Sequence, residues 1–139
     1  MTKFLIMNRI PVENLKEALL QNKNLSFAYL FGSAANGEIR PDADVDIAVY
    51  FSKPPGPDDI YEVIKDLEDV LGEGLLDLLI LNGCNDFVLR NEVIKGKLLL
   101  RREPDRHASF FSWTLRMYED QMMRLVYKQR DQKRIGSHQ

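Results

Sequence analysis

Gly32-Ser33 is followed, after a ten-residue spacer, by Asp44-Val45-Asp46, and these are the residues in the chain whose types and spacing suit chemistry. A glycine lets the backbone come close to a phosphate. The N–H groups and a serine hydroxyl at such a turn can then bond phosphate oxygens. Asp44 and Asp46 alternate with Val45, so on a strand both project from one face, with Cα atoms about 6.6 Å apart. Two carboxylates so placed favour magnesium or manganese, which take oxygen ligands and share them with substrate phosphates. Together the residues point to metal-assisted nucleotidyl transfer. A third carboxylate, Asp77, stands inside Leu75-Leu76-Asp77-Leu78-Leu79-Ile80-Leu81. An ionised carboxylate is costly to bury unpaired, which places Asp77 at a strand end or beside the other two. There it would complete a triad, ligating a second metal and helping to deprotonate an acceptor hydroxyl.

The elements that must position these residues are legible. Phe27 to Phe31 is an apolar run that ends at Gly32, and residues 26–31 read as a buried strand. Residues 33–42 read as a turn or short helix followed by a loop, with Gly37 and Pro41 as breaks. Residues 44–51 are the clearest strand, with Val45, Ile47, Val49 and Phe51 on one face and Asp44, Asp46, Ala48 and Tyr50 on the other. Residues 11–23 read as an amphipathic helix. After the rigid segment from Lys53 to Pro57, Asp58 is the expected cap of a helix running to Leu71. A buried strand is expected over 75–81, a helix over 85–95, an edge strand over 97–101, and a long helix from Pro104 to about Lys133. Strands alternating with helices indicate an α+β (α/β) layer fold.

Composition limits the alternatives. The 139 residues suit one domain, with a core over 1–103 and a C-terminal helix and basic tail over 104–139 as part of it. A net charge of -2 says little about partners, and no direct nucleic-acid binding is expected. The one cysteine, Cys84, excludes an internal disulfide framework and fits a reducing compartment. The run Phe4 to Met7 is too short for a signal-peptide core or a membrane span, so a cytoplasmic protein is expected. No phosphate loop with a Lys-Ser/Thr end is present, which excludes a Walker-type ATPase. Cys84 reads as a loop or packing residue, and His107 and His138 as surface groups. The Phe/Met positions of the last helix suit either core or partner binding.

The stretch from Phe27 to Phe51 resembles the minimal nucleotidyltransferases of the DNA polymerase β superfamily, whose hallmark is Gly-Ser, about ten residues, then Asp-x-Asp. Asp77 resembles that superfamily's third carboxylate, and the likeness covers roughly residues 12–102. The short form is most similar to MntA-type antitoxins, partners of HEPN-domain (HepT) toxins. The resemblance implies a small mixed β-sheet flanked by helices, here with a long C-terminal helix. It also implies magnesium-dependent transfer of AMP from ATP to a tyrosine of the HEPN RNase toxin, with two ions, in a type VII-like toxin–antitoxin pair and a hetero-oligomer with the toxin. By position, Gly32 and Ser33 would hold the triphosphate, and Asp44, Asp46 and Asp77 would be the catalytic and metal-ligating acids. Two positions depart from the pattern: Ala34-Ala35-Asn36 replaces a segment that often carries arginine, and Ala43 a frequent serine. Arg40, or Lys97, Arg101 and Arg102, are candidates for the missing positive charge. Two other readings stay open: an antitoxin acting by binding and occlusion alone, and a small-molecule (aminoglycoside-like) nucleotidyltransferase.

Overall fold

A computed structural model describes residues 10–36 and 44–136. Phe4 to Met7, Arg40 and His138, all named above, lie outside the described residues, as do the side chains beyond Lys133.

Four strands form one sheet in the order β3-β2-β1-β4: β1 Leu25–Phe31, β2 Val45–Phe51, β3 Leu76–Ile80 and β4 Lys97–Arg101. β1 pairs antiparallel with β2 and β4, and β2 pairs parallel with β3, so the sheet is mixed. The parallel pair needs a crossover connection, which helix α2 (Pro57–Leu71) supplies. β1 is central and buried at all of its residues, so its sequence LSFAYLF shows no alternation.

Alternation in the strands divides the core into two layers. Leu30, Val45, Ile47, Val49 and Phe51 face α1 (Val12–Leu20) and α2, meeting Leu15, Leu19, Val63 and Leu67. Phe27, Tyr29, Phe31, Ala48 and Leu81 face α3 (Phe87–Ile94) and the start of α4 (Pro104–Gly136), meeting Val93, Ile94 and Phe110.

Three expectations are corrected. Helix α2 starts at Pro57 with Gly56 as its N-cap, not at Asp58. Proline suits the first helical position, and the Asp59 carboxylate accepts a 2.9 Å hydrogen bond from the Gly56 N–H. The run around Asp77 is not a buried strand: β3 is an edge strand, its residues are partly exposed and Asp77 itself is exposed. His107 is not a surface group: it is 9% exposed, and its Nε2 hydrogen-bonds the Tyr29 hydroxyl at 2.5 Å.

β4 is the other edge, as its sequence suggests. α4 docks through its first turns, where His107, Phe110 and Thr114 are buried and Phe111 packs beside them. From Met123 to Lys133 every residue is exposed.

Candidate active site

The site lies where β1 gives way to a turn. Phe31 is opposite Asp46 in the antiparallel β1–β2 pair. Gly32 follows with φ 70°, and residues Gly32–Asn36 form a 3-10 turn anchored by buried Ala34. A side chain at Gly32 would be doubly disfavoured. Its φ lies in the left-handed region, and a Cβ would run into the Asp46 carboxylate. Glycine therefore brings the turn's backbone directly beside a carboxylate, with half-buried Ser33 next to it.

Across the sheet, Asp46 is opposite Asp77 in the parallel β2–β3 register. Both share the strand face that carries Ala48 and Leu79 toward α3 and α4. Asp44, at the start of β2, is exposed. The Asp46 carboxyl is pushed up to about 6 by burial first, then by a hydrogen bond and repulsion from Asp77, and by the Asp44 charge. Crowded acids of this kind fit a hard divalent cation, because a cation removes the repulsion and favours the ionised form. Among the described residues no three Asp, Glu, His or Cys side chains form a ready-made metal cluster. Magnesium is held by one or two carboxylates together with phosphates rather than by an all-protein cage.

Beside the turn is a cleft of about 330 Å³, lined by Gly32, Ser33, Ala35, Asn36, Glu92, Lys95 and Gly96. Lys95 follows α3 directly and pairs with Glu92 at 3.3 Å. Gly96 packs so tightly on Leu30 and Phe31 that a Cβ there would strike the Leu30 carbonyl oxygen. The α3–β4 turn is thereby pinned to the end of β1, which keeps Lys95 at the cleft. Asn36 also lines the cleft.

Among the described residues, the other cations expected here do not line the cleft. Arg102 donates hydrogen bonds to the carbonyls of Leu20, Asn22 and Leu25, closing the corner between α1 and β1. Arg101 pairs with Phe27, at the end of β1 away from Gly32. Lys97 begins β4 beside the cleft without lining it. Lys95 was missed by the sequence reading, since an exposed lysine after a helix carries no motif.

Residues 13–105 match the polymerase beta nucleotidyltransferase family, and the chain belongs to it. Among solved structures it is similar to a toxin–antitoxin MntA–HpeT mutant, with 26% identity and a TM-score of 0.66, covering 80% of this chain and 89% of that one. It is also similar to a toxin–antitoxin complex with AMP-PNP, with 26% identity and a TM-score of 0.64 over the same shares. The fold recurs, at 23% identity and a TM-score of 0.57, in a complex of a tri-AMPylated Shewanella oneidensis HEPN toxin with MNT antitoxin, covering 78% of this chain and 87% of that one. No curated protein matches the chain. Among the described residues no helix is long and apolar enough to cross a membrane.

Proposed function

We propose that the chain is an antitoxin that transfers AMP from ATP to a tyrosine of a HEPN-domain RNase toxin and so neutralises it. The observation that carries this reading is the pairing of Asp46 with Asp77 across β2 and β3, directly beside the Gly32 turn. The similarity to a toxin–antitoxin complex with AMP-PNP supports the nucleotide, and that to MntA–HpeT supports the partner.

Each residue has a role in that reaction. The Gly32 and Ser33 N–H groups and the Ser33 hydroxyl hold the triphosphate oxygens, and Lys95 neutralises part of their charge across the cleft. Asp44 and Asp46 would hold magnesium, with Asp77 beside them. Bound there, magnesium would neutralise charge developing on the transferred group and lower the pKa of a coordinated hydroxyl. Asp77, exposed and adjacent to Asp46, would accept the proton of the acceptor hydroxyl. The tyrosine oxygen forms a bond to the α-phosphorus as the bond to the β-phosphate oxygen breaks, releasing pyrophosphate. Positioning and charge neutralisation supply most of the rate in such reactions.

A second reading, neutralisation by occlusion alone, is favoured by α4. Its outer part exposes Met123, Leu125, Val126 and Tyr127, an apolar and aromatic surface suited to a partner. Growth rescue in toxin-expressing cells separates the two. Under modification, the Asp44→Ala/Asp46→Ala variant still binds the toxin and no longer rescues; rescue by that variant would establish occlusion.

A further inference from the structure

At the far end of β2 from Asp46, on the same face of the sheet, is a cavity of about 500 Å³ that the nucleotidyl-transfer reading does not use. Its walls include Tyr50, Cys84, Arg90, Arg106, Phe110 and Trp113. Arg90 is the unusual member. It is only 8% exposed, and its guanidinium lies 4.1 Å from the centre of the Phe110 ring and 4.8 Å from that of Phe87. Nε donates to Thr114 Oγ1 at 3.0 Å, and Nη1 donates to the Cys84 carbonyl at 3.3 Å.

These partners are all neutral. A guanidinium has five N–H donors, so three remain for other uses. The ion pairs among the described residues are Lys16–Glu13, Lys95–Glu92 and Arg106–Glu103, and none includes Arg90. Burial without a carboxylate partner lowers its pKa, a further sign that the cation lacks compensation. The hydrogen bonds to Thr114 and Cys84 explain how Arg90 joins α3 to α4. They do not explain why a charged fork, rather than a neutral donor, lines an open cavity. Arg106 adds a second cation at the rim, 43% exposed, and Trp113 adds a half-exposed aromatic wall.

We propose that this cavity binds a small molecule carrying a carboxylate on a planar ring, the carboxylate meeting the free edge of Arg90 and the ring lying among Tyr50, Phe110 and Trp113. An arginine fork matches a carboxylate in a bidentate manner, which a lysine cannot reproduce. The volume, and walls that set three aromatic rings around a few polar groups, suit a small-ligand site.

Cys84 is the chain's single cysteine and lines the same cavity, so it reports on the site directly. Its alkylation by anionic iodoacetate is compared with that by neutral iodoacetamide, each as a rate relative to glutathione. The expected iodoacetate-to-iodoacetamide ratio is at least threefold above that of glutathione. Arg90→Met returns it to the glutathione value, and Arg90→Lys, which keeps the charge without the fork, recovers only a minor part. Benzoate at millimolar concentration slows alkylation more than acetate at equal ionic strength, and it shifts the fluorescence of Trp113, the only tryptophan. If Arg90→Met does not fold, Arg106→Ala at the rim lowers the ratio partially, and the benzoate comparison needs no variant. A wild-type ratio equal to that of glutathione would overturn the proposal. So would full retention of the ratio in Arg90→Lys, or equal protection by acetate and benzoate.

Discussion

Asp46 and Asp77 stand opposite each other across the parallel β2–β3 pair, close enough to share a hydrogen bond, and the Asp46 carboxyl is raised to about 6. The metal-free protein is thus less stable for holding its acids together. Replacing Asp46 by Asn removes a charge from the cluster while keeping its shape. Metal-free Asp46→Asn should be more stable than the wild type at pH 7.5, by about 1 kcal/mol once solvent screening at this partly open site is allowed for. Thermal denaturation with and without magnesium checks this. The wild type should gain stability on adding magnesium, and the variant should gain little.

Gly32→Ala should impair transfer far more than folding. The left-handed φ of 70° costs an L-residue about 1–2 kcal/mol, and the new Cβ displaces the Asp46 carboxylate. The expected outcome is a folded protein with a modestly lower Tm and at least a hundredfold loss in kcat, read by single-turnover transfer from labelled ATP. Wild-type transfer in this variant would mean that the turn does not position the reacting groups.

Much of this site was legible in the sequence because it depends on local pattern. Gly32 and Ser33 follow an apolar run, and the alternation from Val45 to Phe51 assigns Asp46 to one strand face without knowledge of the rest of the fold. Asp77 could be named, although its edge position could not, because seven consecutive residues with one charge read equally well as a central strand. His107 was misread for a different reason. The row of α4 that faces the sheet mixes His107, Phe110 and Thr114, so hydrophobic periodicity does not mark it. Only the arrival of Tyr29 from a distant strand gives the histidine a partner. Lys95 reaches the cleft through the close packing of Gly96 on β1, a tertiary contact with no sequence signature.

Lys95 and Glu92 should act in opposite directions on ATP. Removing a charge-assisted contact costs about 1.5–3 kcal/mol, and 1.4 kcal/mol is a factor of ten, so Lys95→Ala should raise the KM for ATP by roughly tenfold or more with kcat largely kept. Glu92→Gln frees Lys95 from its 3.3 Å ion pair and removes a negative charge from the cleft, so KM should fall. Initial rates against ATP concentration distinguish these effects. A change in kcat alone would remove Lys95 from triphosphate binding.

The Tyr29–His107 pair gives stability a pH dependence of known sign. Burial, and then the nearby Arg101 charge, lower the His107 pKa below its ordinary value of 6.5, so the folded state favours neutral imidazole. That contribution is complete above pH 6.5 and is lost as pH falls through the lowered folded value. Asp46 acts in the opposite sense, gaining protons in the folded state between 3.8 and about 6. The comparison therefore uses Asp46→Asn as background. In it, Tm should drop between pH 7.5 and 5.5, and adding His107→Gln should flatten the drop. Tyr29→Phe should cost about 1 kcal/mol at pH 7.5, the worth of one hydrogen bond.

The most direct test of the central claim is intact-mass analysis of the partner HEPN toxin after incubation with this protein, ATP and magnesium, in parallel with the Asp44→Ala/Asp46→Ala variant. The account predicts a mass gain in steps of one AMP that vanishes in the variant. No gain, under conditions in which the two proteins demonstrably bind, would contradict it.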